Sequence, residues 1–420
     1  MINTSTLDNG LRITTIPMRH TRSVTLAIFV KAGSRYEADA DAGVFHFIEH
    51  MLFKGTKRRP TARVISEAIE GVGGTMNAST DRELTTYWCK VARPHLLIAI
   101  DVLMDMLRNA VFDPDEIEKE RGVVLEELAM TNDYPDEKVN VLLDKMLWGG
   151  QPIGRDVGGD SSSVKSITRR VLLNYTKQGY RPESTVVVVA GDIDHLEIVN
   201  LLTGYLGKWT SKQKPILCLP ASDQQSRPQV QLEYQKTDQT HICFGLRGLS
   251  WGHPQRRSID LLSVILGEGM SSRLFLKLRE DLGLVYSIYS ENTHLSDTGA
   301  FIIYCSTQSP NVQRAISSIK DSLIELRNGI PDEEMRKAKE TIKGRLLLSM
   351  EDTRNMAMWY GVQASMGGQS LTVDEVIDCI DAVTGEDLQQ VAEHLVFPEH
   401  MNVAVVGPLR GVRRLENLFN

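Results

Sequence analysis

The sequence predicts an α+β protein in which one domain is duplicated, each copy an antiparallel-rich sheet packed by helices in a sandwich-like α/β arrangement. Three observations predict it. The order of strand-like and helix-like stretches over residues 1–210 recurs over residues 230–420. The helical segment DPDEIEKERGVVLEEL matches IPDEEMRKAKETIKGRL, aligning Ile117 with Met335 and Leu128 with Leu346. Each half also closes on an apolar strand, VVVVAG in the first and NVAVVG in the second. Residues 211–229 lie between the halves, carry three prolines and many polar side chains, and lack periodicity, so they read as an interdomain linker.

In the first half, LRITTI and SVTLAIFVKAG read as strands. GVFHFIEHMLFKGT reads as an apolar helix. ARVISEAIEGVGG has apolar residues at helical spacing and stops at Gly73-Gly74. TMNASTDRELTTYWCKV is rich in Thr, Tyr and Trp and reads as strand. HLLIAIDVLMDMLRNA is an amphipathic helix, and DPDEIEKERGVVLEELAM is another, with Pro and acids in its first turn. A helical region then leads into STVVVVAGDID, a buried strand. The second half runs THICFGLRG (strand), RRSIDLLSVILGEG (helix), strands around YSIYSENTH and GAFIIYCST, then NVQRAISSIKDSLIELRNG (helix).

Composition narrows the function. Of 420 residues, 42% are hydrophobic and 24% charged, ordinary for a globular chain. A net charge of −7 argues against nucleic acid and anionic membrane as partners. Five cysteines without CxxC spacing read as buried reduced thiols and make a cysteine-ligated zinc site unexpected. The N-terminus shows no signal or transit pattern, and no apolar run reaches the roughly 18 residues of a membrane span. The expectation is a soluble, cytoplasmic protein.

The helix GVFHFIEHMLFKGT poses the chemical question. His46 and His50 are four apart, so on a helix both imidazoles leave one face and can share one ion. Glu49 lies on the same side, and a carboxylate beside a bound water can take its proton. The order H-x-x-E-H is one of those found in zinc peptidases. The plainer reading is two satisfied histidines on a core helix. The duplicated half weighs against it. Its matching region has no histidine, and Ala338 and Arg345 stand where Glu120 and Glu127 do, so the fold itself does not require these polar groups.

Two histidines are too few for a catalytic zinc, which usually takes three protein ligands. The acidic helix over 116–128 is the natural source of the third. At about 100° per residue, Ile117, Val124 and Leu128 share one direction, and Glu120 and Glu127 fall about 60–80° from it, at the edge of the buried stripe. Glu126 points about 180° away, into solvent. Glu127 is therefore the expected third ligand, and Glu120 the acceptor that orients a ligand imidazole.

HFIEH with the later Glu127 resembles the M16 metallopeptidases, the pitrilysin or insulinase family, and within it the mitochondrial-processing-peptidase-like subfamily. TLDNGLRI, AGSRYEADADAGVFHFIEHMLFKGT, GGTMNAST with ELTTY, ERGVVLEEL and GMSSRLFLKLREDLGLVYS carry the resemblance along nearly the whole chain. It implies one catalytic and one non-metal-binding domain, and a chamber enclosed by paired domains. It implies one Zn²⁺ per chain held by His46, His50 and Glu127, with Glu49 activating water and Glu120 supporting a histidine. Asn77 and Ala78 match an edge-strand NA that holds an extended peptide through its backbone. Arg279 and Tyr286 match an R-x6-Y pair that approaches the substrate carbonyl. Outside these motifs Asn77 would read as a turn residue, Arg279 as an ion-pair partner and Tyr286 as core. The implied function is a zinc endopeptidase acting on peptides or unfolded segments, as a homodimer or paired with a related chain. The alternative is a noncatalytic or heterodimer-dependent subunit of a processing peptidase. Phe45 departs from the family, which commonly has a small residue before the first histidine.

Overall fold

The computed structural model of the chain describes residues 2–367 and 370–419. Six strands form one sheet: β1 (Asn3–Thr6), β2 (Arg12–Pro17), β3 (Ser23–Val30), β4 (Thr75–Thr80), β5 (Thr85–Ala92) and β6 (Thr185–Gly191), in the order β1-β2-β6-β3-β5-β4. Five form a second: β7 (Gln229–Tyr234), β8 (Thr240–Gly248), β9 (Val285–His294), β10 (Gly299–Thr307) and β11 (Asn402–Gly407), in the order β7-β11-β8-β10-β9. Leaving out β1, the orders are the same, position for position. The orientations agree too: β2 is parallel to β6 and β7 to β11, and the remaining pairs are antiparallel. The duplicated α+β architecture predicted from the element order is present.

Two compact units each hold one sheet. The first comprises Met1–Ala129, Arg155–Leu219 and Leu348–Ser370, and the second Met130–Gly154, Pro220–Leu347 and Leu371–Asn420. Each unit therefore includes a segment from outside its own half of the sequence.

In the first unit, one face of the sheet packs on the helices Val44–Leu52, Leu96–Asn109, Arg169–Gly179 and His195–Leu206, through Leu26, Ile28, Phe47, Ile48, Ile100, Leu103 and Leu172. The other face is covered by helix Thr353–Met366. Its Ala357, Tyr360 and Ala364 pack on Ala27, Phe29, Val186 and Val188. That second cover explains β6: TVVVVAG is buried throughout because both faces of the strand meet apolar side chains. In the second unit, helix Pro135–Trp148 plays the corresponding part, packing Val139, Leu143 and Trp148 on Cys243, Ile302, Ala404 and Val406.

Two expectations need correction. TMNASTDRELTTYWCKV is two strands, β4 and β5, joined by a tight turn in which the Arg82 amide donates to the Asp81 side chain and the Asp81 amide to Leu84 O. The turn has no Gly or Pro, so it leaves no compositional mark. Phe275–Asp281 forms a π-helical turn. Of the five cysteines, only Cys89, Cys243 and Cys305 are buried. Cys218 is half-buried and Cys379 exposed. Residues 209–228 carry no helix or strand. Among the described residues, no helix is long and apolar enough to cross a membrane.

Candidate metal centre

The helix Val44–Leu52 is held from beneath and at its start. Val44, Phe45, Phe47, Ile48, Met51 and Leu52 are buried, while His46, Glu49 and His50 keep partial exposure on one side. Its N-cap is Gly43, at φ 89°, which offers no side-chain cap. A Cβ there would stand 2.3 Å from Gly158 O, so neither the conformation nor the space admits a side chain. Glu37 supplies the missing cap. Its carboxylate accepts from the Gly43 amide at 2.8 Å and from the Phe45 amide at 2.9 Å. Phe45 is buried, and its ring meets Tyr175 edge-on at 5.4 Å and stacks on Tyr180 at 6.4 Å.

Burial pushes the Glu37 carboxyl up to about 8, against the pull of its two amide donors and of Arg155. The folded state then binds this proton more tightly than the unfolded chain. The resulting stabilisation is full below the ordinary carboxyl value of 4.5 and is lost as pH rises through about 8. Urea unfolding of the metal-free protein is expected to lose a few kcal/mol from this group between pH 5 and pH 8, on the order set by a shift of this size. Glu37→Gln cannot ionise, and the wild-type-minus-variant difference isolates the effect. Parallel pH–stability curves for the two proteins would contradict it.

His46 and His50 meet through their Nε2 atoms at 3.2 Å. Glu127, on the helix Pro114–Asp133, brings Oε2 to 3.7 Å from His46 Nε2 and 3.5 Å from His50 Nε2. Among the described residues this is the one group of three His, Cys, Asp or Glu whose ligand atoms all lie within 4.8 Å of one another. Two ligands at about 2.0–2.1 Å from one tetrahedral ion stand about 3.3 Å apart, so the imidazole pair has the spacing that zinc takes. The donor set, two nitrogens and a carboxylate oxygen, fits zinc as well.

The surrounding charges prepare these donors. His50 Nδ1 lies 2.8 Å from Glu120 Oε1, and Glu120 Oε2 lies 2.5 Å from Lys54 Nζ. A carboxylate on Nδ1 keeps the proton of neutral His50 there and leaves the Nε2 lone pair to a metal. Burial, then the neighbouring His50, lower His46 to about 4, so it stays neutral at physiological pH. For His50 burial pulls downward, but the Glu120 hydrogen bond and the charges of Glu127 and Glu49 outweigh it and raise the group. Burial opposes ionisation of Glu120, and the bonds from His50 and Lys54 overcome it.

Glu49 accepts from Thr80 Oγ1 at 2.7 Å through Oε2 and lies close enough to His50 and Glu127 for their charges to act on it. Burial raises its carboxyl, opposed by Thr80 and His50, which moves it toward the range of a general base.

Glu37, Lys54 and Thr80 were not singled out in the sequence. Only Lys54 had a readable signal, four residues after His50. The other two come from a loop and from a neighbouring strand.

Asn77 and Ala78 lie on β4, which ends the sheet and leaves one edge unpaired. The Ala78 amide donates to Asn77 Oδ1 at 2.8 Å. Arg279 and Tyr286 belong to the second unit, where the guanidinium stands 5.6 Å over the Tyr286 ring and Tyr286 is 70% exposed. Tyr286 is therefore not core. In that unit, Ala338 is buried and Arg345 pairs with Glu268 at 2.6 Å, an ion pair at the position aligned with a metal ligand.

Comparisons with known proteins give the family. Residues 12–161 match the family described as insulinase (peptidase family M16), and residues 166–342 match the one described as peptidase M16 inactive domain. The chain is 35% identical over 413 residues to the uncharacterized zinc protease YmxG of Bacillus subtilis, covering 97% of this chain and 98% of the relative. It is 34% identical to an uncharacterized zinc protease of Streptomyces coelicolor, covering 97% and 90%. Among solved structures, a protease from Helicobacter pylori superposes with a TM-score of 0.91 at 22% identity, covering 97% of this chain and 99% of that one. A peptidase M16 inactive domain from Pseudomonas fluorescens superposes with a TM-score of 0.86 at 20% identity, covering 98% and 99%. At those identities the likeness speaks for the fold.

Proposed function

The chain belongs to the M16 (insulinase) family of peptidases, and from that premise we propose that it is a zinc-dependent endopeptidase that hydrolyses peptides or unfolded protein segments. The observation that carries the reading is the convergence of His46, His50 and Glu127 beside a general-base candidate, Glu49.

In this reading His46, His50 and Glu127 would hold one zinc per chain. Zinc, when bound, supplies Lewis-acid polarisation of water and of the scissile carbonyl. Glu49 takes the proton of the attacking water on its Oε1, since Oε2 is engaged by Thr80, and delivers it to the leaving amine. Glu120, itself fixed by Lys54, orients His50. The free edge at Asn77 and Ala78 suits an extended peptide, whose carbonyl would replace Asn77 Oδ1 on the Ala78 amide. Arg279 and Tyr286 serve as donors to the substrate, on the strength of the R-x6-Y match. Pairing, with a second copy or a related chain, completes the proposal.

The test is metal analysis together with a quenched, unstructured peptide substrate. About one zinc per chain is expected, with cleavage abolished by a chelator and restored by zinc. A zinc-free protein without chelator-sensitive cleavage would sink the enzyme reading and favour a noncatalytic subunit.

A further inference from the structure

A cavity lies in the first unit, beside the C-terminal end of the histidine-bearing helix, where Leu52 lines it. Its volume is about 400 Å³, within the range of small-molecule pockets. Leu52, Phe112 and the buried indole of Trp209 make part of it apolar. Three cations line the same space, Arg108, Lys177 and Lys212, and no carboxylate does.

This local charge is unusual for a chain with a net charge of −7. Nothing in the described residues neutralises it. The acids nearest in sequence on the same helix, Leu96–Asn109, are already engaged: Asp101 by Arg58 and Arg59, and Asp105 by Arg59 and Thr56. Arg108 instead stacks over Trp209, 4.8 Å from the ring centroid. Burial lowers its pKa, with no acid offsetting it. A guanidinium held over an indole can still offer its N–H groups to a carboxylate or phosphate through two parallel hydrogen bonds.

We propose that this cavity binds an amphipathic anion, with a short apolar body against Leu52, Phe112 and Trp209 and a carboxylate or phosphate head against Arg108, Lys177 and Lys212. The site is separate from the metal centre, and the proposal does not depend on peptidase activity. The head could belong to a fatty acid or to a phosphate monoester, and the two share this chemistry.

Isothermal titration of the full chain with octanoate, octyl phosphate and octanol tests it. Saturable one-to-one binding of at least one anion is expected, with octanol at least about tenfold weaker, as the loss of a charge-assisted pair requires. The tighter of the two anions identifies the head group. Arg108→Leu is expected to weaken the anion about tenfold or more, and Arg108→Lys, which keeps the charge but not the planar fork, to recover only part of it. Lys212→Gln, at an exposed position, is expected to weaken it severalfold without affecting folding. Equal affinities with and without zinc separate this cavity from the metal centre. Octanol binding as tightly as the anions, anion affinity unchanged in both Arg108→Leu and Lys212→Gln, binding seen only with zinc present, or no saturable heat at a few millimolar anion would each overturn the proposal.

Discussion

Glu49→Gln is expected to lower kcat for peptide hydrolysis about 10²- to 10⁴-fold while leaving zinc bound, the range for losing a positioned general base from a site that otherwise stays intact. The substitution keeps the side chain's size and its acceptor for Thr80 Oγ1. It removes only the ability to take a proton. Glu49 is outside the cluster formed by His46, His50 and Glu127, so metal content is expected to match the wild type. The two measurements are turnover of a quenched peptide and zinc per chain. A variant that keeps more than about a tenth of the activity rules Glu49 out as the base. A variant that loses zinc assigns it a ligand's role instead.

The second large effect separates neighbours on one helix. Glu127→Gln is expected to weaken zinc binding by more than about a hundredfold, beyond the 10- to 100-fold typical of groups that only support a ligand. Glu126→Gln is expected to change it by less than about twofold, as ordinary exposed substitutions do. Glu127 Oε2 stands 3.7 and 3.5 Å from the two imidazole Nε2 atoms, while Glu126 is exposed on the other side of the helix. Competition against a chromophoric chelator measures both. Equal losses in the two variants would refute the assignment of the third ligand.

Much of the candidate centre was legible because it is written at helical spacing. Ile117, Val124 and Leu128 are buried on the helix Pro114–Asp133, as their shared direction requires, and Glu120 is buried with them at the stripe's edge. The same periodicity sets Glu127 toward the histidines and Glu126 away. What was not legible comes from elsewhere in the chain. Glu37 caps a helix that begins seven residues later, across a loop without periodicity. Thr80 reaches Glu49 from the end of β4, a strand whose separation from β5 left no Gly or Pro. The role of helix Thr353–Met366 was hidden for a different reason. Its buried side is made of small and polar residues such as Ala357, Gly361, Gln363 and Ser365, with little apolar periodicity to announce burial, and the partners Phe29 and Val186 are far away in sequence.

That last helix has a consequence for how the protein is made. The six strands of the first sheet have all been synthesised once Gly191 emerges, yet the helix that covers one face ends at Met366. At about 5–20 residues per second, translating the interval takes about 9–35 seconds. For that time the ribosome-bound chain presents Ala27, Phe29, Val186 and Val188 to solvent. The unit that bears the histidines is thus finished late. The nascent chain's length, not the position of its metal ligands, sets the moment at which it needs no further protection.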